Sequence, residues 1–94
     1  MFAPVQNPQA VPFVYLLRCA DDSLYCGWTV DVDKRVAKHE AGSASRYTAS
    51  RRPVRLAAAW EVETKTDARR MEARIKRLSR TEKLELVRLT PPGV

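Results

Sequence analysis

The run Phe13-Val14-Tyr15-Leu16-Leu17-Arg18-Cys19 leads into Ala20-Asp21-Asp22-Ser23 and then Leu24-Tyr25-Cys26-Gly27-Trp28, and this order narrows the fold more than any other feature. The first run is aromatic and branched enough to be a buried strand. The second is a cluster of turn residues, and the third reads as the return strand of a hairpin. A two-stranded hairpin is marginal alone in water, so the rest of the chain has to complete and cover it. From Val54 the pattern alternates, with Val54, Leu56, Ala58, Trp60 and Val62 on one side and Arg55, Glu61 and Glu63 on the other. That predicts a third strand with one buried face.

Helices are expected between and after the strands. Asp31 is a good N-cap and Asp33 suits the first turn of a helix running to about Ala41 and closing on Gly42. Ser43 to Pro53 reads as a polar, basic loop. Thr66 is the expected cap of a second helix whose apolar positions are Ala68, Met71, Ile75 and Leu78. Ser79-Arg80-Thr81-Glu82 is a capping box that opens a third helix through Leu84, Leu86, Val87 and Leu89, ended by Pro91 and Pro92. The order β-β-α-β-α-α implies an α+β fold, a small three-stranded antiparallel sheet flanked by three helices. One domain over residues 13–90 is expected, between an N-terminal tail of residues 1–12 carrying Pro4, Pro8 and Pro12 and a C-terminal tail of residues 91–94.

Charge is unevenly spread. Residues 1–33 hold one Arg against four Asp, whereas residues 34–94 hold sixteen Lys and Arg against seven Asp and Glu. Such asymmetry favours a polyanionic partner, although a solvated, solubilising surface has the same arithmetic. The longest uninterrupted apolar runs, Phe13 to Leu17 and Leu56 to Trp60, are five residues each, which excludes a spanning helix and a membrane partner. Two cysteines, Cys19 and Cys26, are too few for a disulfide scaffold or a zinc ribbon, and both are expected as buried thiols of a cytoplasmic domain.

Several polar residues fall at telling intervals. Tyr25 follows Tyr15 by ten positions, Gly27 lies two further on, and Arg35 follows Tyr25 by ten. His39 is four after Arg35 and so shares its helix face. Glu72 falls at the edge of the second helix's apolar arc, with Arg69 and Lys76 beside it, and is spaced for an ordinary i, i+4 ion pair with Lys76. Hairpin register decides which residues meet. If Cys19 faces Tyr25, the two tyrosines share a face; a one-residue slip puts Arg18 there instead.

This constellation resembles the GIY-YIG nuclease family, in particular its small stand-alone bacterial members. The first motif stands as Phe13-Val14-Tyr15 and the second as Tyr25-Cys26-Gly27, and the likeness extends over residues 13–88 through Arg46-Tyr47-Thr48 and the run from Glu72 to Ser79. The resemblance implies a three-stranded sheet with flanking helices, and phosphodiester hydrolysis with one divalent ion, Mg²⁺ or Mn²⁺. By position it makes Tyr15 the general base or its close partner, and Arg18 the family's basic residue three positions later. It has Tyr25 bond near the scissile phosphate, Arg35 bind the developing charge, His39 assist proton transfer and Glu72 hold the metal. Arg46, Arg51, Arg52, Arg69 and Lys76 are the expected nucleic-acid contacts. An ordinary tyrosine is a poor base at neutral pH, so Arg18 and Arg35 are expected to lower the pKa of Tyr15. Phe13 stands where the first motif has glycine, Cys26 where the second has isoleucine, and Leu84 where many larger members carry asparagine. The implied activity is an endonuclease on DNA rather than RNA, selecting branched, nicked or distorted structures in repair or recombination, with a protein partner as the other expected contact. The alternative is a non-catalytic or partner-activated nucleic-acid-binding module with a vestigial site.

Overall fold

The computed structural model describes residues 10–90 as β1 (Phe13–Arg18), β2 (Leu24–Thr29), α1 (Val32–Glu40), α2 (Arg46–Ala49), β3 (Arg55–Glu61), α3 (Lys65–Lys76) and α4 (Arg80–Leu89). Most of the two expected tails, residues 1–9 and 91–94, lies outside the described residues. Pro12, assigned by sequence to the N-terminal tail, is buried, and its carbonyl accepts from the Val62 amide at 3.0 Å. The three strands form one antiparallel sheet in the order β2-β1-β3. β1 is therefore central, and Val14 to Leu17 are buried on both faces, which is why the run is continuously apolar rather than alternating.

The hairpin turn sets the register. The Asp22 amide donates to the Cys19 carbonyl at 2.9 Å, and the Cys19 amide donates to the Ser23 carbonyl at 2.9 Å. Asp22 takes φ +67°, a left-handed conformation that aspartate tolerates better than most side chains, and Asp21 Oδ1 accepts from the Ser23 amide at 3.0 Å. The loop is thus three residues long, Leu17 faces Tyr25 and Tyr15 faces Gly27. This register lies two residues from a Cys19–Tyr25 pairing and keeps its parity. Tyr15, Leu17, Tyr25 and Gly27 share one face, and Arg18 goes to the other.

The third strand departs from the single buried face expected of it. Leu16 pairs with Ala58 but Leu17 pairs with Leu56, so Ala57 is an inserted bulge residue. Before the bulge, Val54 packs with Tyr15 and Leu17; after it, Trp60 and Val62 pack with Val14 and Leu16. Even-numbered residues therefore change faces at Ala57, and Leu56 is left 40% exposed.

Each face of the sheet carries its own apolar cluster. Val14, Leu16, Leu24 and Cys26 meet Ala68 and Ile75 of α3, with Leu84, Leu86 and Val87 of α4 packed against them. Tyr15, Leu17, Cys19 and Val54 meet Tyr25, Ala59 and Val36 of α1. Two local assignments change. Thr64, not Thr66, caps α3, because its hydroxyl accepts from the Asp67 amide at 3.0 Å. The segment expected as a loop holds the one-turn helix α2, whose N-cap Ser45 accepts from the Thr48 amide at 3.1 Å. The Ser79–Glu82 capping box closes in both directions at the start of α4.

Candidate active site

On the face that α1 covers, the chain brings two tyrosines, a histidine and an arginine together around Gly27. Tyr15 is 1% exposed and His39 1%. The Tyr15 hydroxyl lies 2.8 Å from His39 Nε2, and Nδ1 of the same ring lies 2.7 Å from Thr48 Oγ1. Thr48 Oγ1 is in turn 2.9 Å from Ser45 Oγ. Tyr25 meets the His39 ring edge-on at a centroid distance of 5.1 Å and stacks on Tyr47 at 5.8 Å, and the Arg51 guanidinium lies over Tyr47 at 3.8 Å.

Gly27 has a defined task here. A Cβ built on it would lie 2.5 Å from Tyr15 Oη and 2.7 Å from Tyr15 Cζ. Only glycine lets the cross-strand backbone approach the phenol this closely. The second-motif glycine is thus the floor on which the first-motif tyrosine lies.

The electrostatics of Tyr15 run opposite to the lowering expected from Arg18 and Arg35. Burial pushes its pKa up to about 12, outweighing the Arg35 guanidinium, whose proximity lowers it. Arg18 contributes nothing, because it sits on the opposite face at the far end of β1. There its Nε bonds Asp22 Oδ1 at 3.2 Å, beside a 360 Å³ cleft lined by Cys19, Pro53 and Arg55 among others. His39 is held below the usual histidine range by burial first and by the Arg35 charge second. Its ring is therefore neutral at pH 7 and able to accept a proton on one nitrogen.

Glu72 comes from α3, and its ion-pair partner Lys76 feels the charges of Tyr25 and Cys26. The Glu72 side chain is 21% exposed, and Oε2 lies 3.0 Å from Lys76 Nζ, the i, i+4 ion pair weighed from sequence. Its charge reaches β2, since Cys26 is pushed up to about 12 by burial and then by Glu72. Among the described residues no group of three or more His, Cys, Asp or Glu is placed to hold an ion. A lone carboxylate suits Mg²⁺ or Mn²⁺, which keep much of their water, and does not suit an ion that needs a closed protein cage.

The basic residues expected to contact nucleic acid are dispersed. Arg46 is exposed at the start of α2. Arg51 bonds Asp21 Oδ2 at 3.0 Å and the Tyr47 carbonyl at 3.0 Å. Arg52 bonds the Ala49 carbonyl at 2.9 Å and packs on Gly42. Arg69 lies 5.5 Å over Trp28, and Lys76 is paired with Glu72. Lys34 and Lys38, not singled out by sequence, flank Arg35 along a 400 Å³ cleft with Thr29, Val30 and Asp31. In the sequence Thr48 stands out only as the end of the run Arg46-Tyr47-Thr48, and the structure makes it the partner of His39. The Ser45 N-cap three residues earlier was the local signal for it.

Comparison with known proteins gives one answer. The family model described as the GIY-YIG catalytic domain matches residues 11–85. A UPF0213 protein of Syntrophus aciditrophicus is 44% identical over 80 residues, covering 84% of this chain and 92% of that one. The solution NMR structure of a UPF0213 protein from Bacillus halodurans matches with a TM-score of 0.56 and 44% identity, over 87% of each chain. A second NMR structure, of a protein from E. faecalis, matches with a TM-score of 0.56 and 34% identity, over 81% of this chain and 82% of that one.

Proposed function

The chain belongs to the GIY-YIG catalytic-domain family, a family of nucleases, and from that premise we propose that it is a divalent-metal-dependent endonuclease that hydrolyses phosphodiester bonds in DNA. Its selectivity is for branched, nicked or distorted structures, such as arise in repair and recombination, rather than for a sequence. One observation carries the reading: a buried phenol 2.8 Å from a neutral imidazole, with an arginine at the phenol oxygen.

At a pKa of about 12, Tyr15 is a poor base by ionisation, and the arrangement offers a route that avoids free tyrosinate. Arg35, a planar donor suited to phosphate oxygens, turns from beside the Tyr15 hydroxyl to the substrate. Water can then reach Oη. As the water oxygen attacks phosphorus, its proton passes to Tyr15 Oη while the Tyr15 proton passes to His39 Nε2. The bond from phosphorus to the leaving sugar oxygen breaks, and that oxygen takes a proton from solvent. Phosphate negative charge beside Arg35 also offsets the guanidinium's effect on His39 and makes the imidazole a better acceptor. Tyr25, on the same face, bonds a phosphoryl oxygen. Glu72, released from Lys76, would hold the Mg²⁺ or Mn²⁺ ion, which would supply neutralisation of the negative charge developing in the transition state.

Among the described residues no helix is long and apolar enough to cross a membrane. The cytoplasm is the proposed compartment, consistent with the buried free thiols Cys19 and Cys26. The test is a panel of labelled flap, four-way-junction, nicked and plasmid DNA, with RNA counterparts, in Mg²⁺, Mn²⁺ or EDTA. Metal-dependent cutting of branched DNA that is lost in Tyr15→Phe and in Glu72→Gln is the expected result, and parent-level cutting by both variants sinks the assignment. The Glu72–Lys76 ion pair favours one second reading, a binding module that is idle or awaits a protein partner. It predicts salt-sensitive binding that survives Glu72→Gln, with no metal-dependent cutting.

A further inference from the structure

Thr48 is a polar side chain with 0% exposure on a helix of four residues, and nothing in the apolar packing calls for a hydroxyl there. Its oxygen is 2.7 Å from His39 Nδ1, 2.9 Å from Ser45 Oγ and 3.4 Å from the Ser45 carbonyl. The direction of those bonds follows from Tyr15. The buried phenol keeps its proton and must donate it. Arg35 can only donate, so it is no acceptor for that proton, whereas His39 Nε2 at 2.8 Å is. A neutral imidazole carries one ring proton, so an accepting Nε2 puts that proton on Nδ1, where it points at Thr48 Oγ1. Thr48 then accepts from Nδ1 and sends its own proton to the Ser45 carbonyl, while Ser45 Oγ is free to donate to Thr48. Every polar atom in the chain from Tyr15 to Ser45 has a partner in this arrangement. In the opposite tautomer Nε2–H would meet the Tyr15 oxygen and the buried phenol proton would lose its acceptor.

We propose that Thr48 is a positioning residue that holds His39 in the Nδ1-protonated tautomer and so keeps Nε2 open to take the Tyr15 proton. The kinetic part of this rests on the nuclease reading above; the tautomer does not. The groups that face the imidazole are Tyr15 from β1, Tyr25 from β2, Arg35 from its own helix and Thr48 from α2. Among the described residues Nδ1 is bonded by Thr48 alone, which makes the effect separable.

Two measurements test it on the full chain. Long-range ¹⁵N–¹H NMR of the histidine ring at pH 7.5 is simple, because His39 is the sole histidine of the sequence. Protonated Nδ1 and unprotonated Nε2 are expected, and an Nε2-protonated ring in the parent overturns the proposal even if the protein never cuts DNA. In Thr48→Val, which keeps the shape and loses the hydroxyl, the ring is expected to shift towards the Nε2–H form. The kcat for cleavage is expected to fall about ten- to a hundredfold with KM little changed. Thr48→Ser is expected to restore the tautomer and to bring kcat back to within about fourfold of the parent, the equivalent of one buried methyl group lost. Thr48→Val with an unchanged ring and parent kcat refutes the role. Thr48→Ser as impaired as Thr48→Val refutes it too, since packing would then explain the loss. If Thr48→Val fails to fold, the parent spectrum and Thr48→Ser still decide.

Discussion

Replacing Gly27 by alanine probes how tightly the two motifs are coupled. The added Cβ would sit 2.5 Å from Tyr15 Oη and 2.7 Å from Cζ, whereas comfortable contacts need about 3.5 Å. Either strand or ring must therefore yield by about 1 Å. β1 is the central strand, paired on both sides, so the ring is the element that moves. A displacement of that size takes the Tyr15–His39 separation from 2.8 Å to beyond hydrogen-bond range. Overpacking of a buried site costs about 1–3 kcal/mol, and the lost hydrogen bond adds about 0.5–1.5 kcal/mol. Alanine's smaller unfolded-state entropy offsets this by only about 0.4–1 kcal/mol. The steric side wins, with a net loss of about 1–3 kcal/mol. For a domain of this size each kcal/mol is about 4–8 °C in Tm. Thermal unfolding followed by circular dichroism reads it directly, and cleavage is expected to fall about a hundredfold from misplacement of the base. In a Tyr15→Phe background the nearest atom is gone but Cζ remains, so Gly27→Ala is expected to cost less there, though not nothing. A Gly27→Ala protein with parent Tm and parent cleavage would refute the close-packing argument and with it the assignment of this glycine.

Other outcomes follow from the same structure. His39 is held below its unfolded pKa, so the unfolded chain binds the extra proton first; stability is full above about pH 6.5 and falls as pH drops through the folded value, checked by denaturant melts from pH 7.5 to 4.5. The acid limb of the kcat/KM profile is expected at a pH below the ordinary histidine value of about 6.5, where the lowered His39 finally charges and can no longer accept the Tyr15 proton. Lys76 competes with an ion for Glu72, so Lys76→Met is expected to tighten Mn²⁺ binding about twofold, read by paramagnetic broadening of NMR signals around Glu72. Leu16→Ala, at a fully buried site between β2 and β3, is expected to cost about 2–5 kcal/mol without altering the Tyr15–His39 geometry.

Much of this protein is legible in its sequence because the signals are local. The apolar run of β1, the Asp31 cap and the Ser79–Glu82 box act over three or four residues, and all three appear where the pattern puts them. The spacing of Tyr15, Tyr25, Gly27, Arg35 and His39 was equally readable, and the chain brings these residues to one face. What tertiary structure alone decided depends on distant partners and on exclusion of water. The three-residue turn at Asp22 chose the register, and the Ala57 bulge sent the alternation of β3 across the sheet. Burial turned an expected fall in the Tyr15 pKa into a rise, because desolvation by the whole domain outweighs one neighbouring guanidinium. Parity carried Arg18 away from the tyrosines, and ion pairs and carbonyls claimed Arg51, Arg52 and Lys76. Thr48 is the clearest case. Its partner lies nine residues back across a turn, in a helix too short to have a period, so only the folded chain brings hydroxyl and imidazole together.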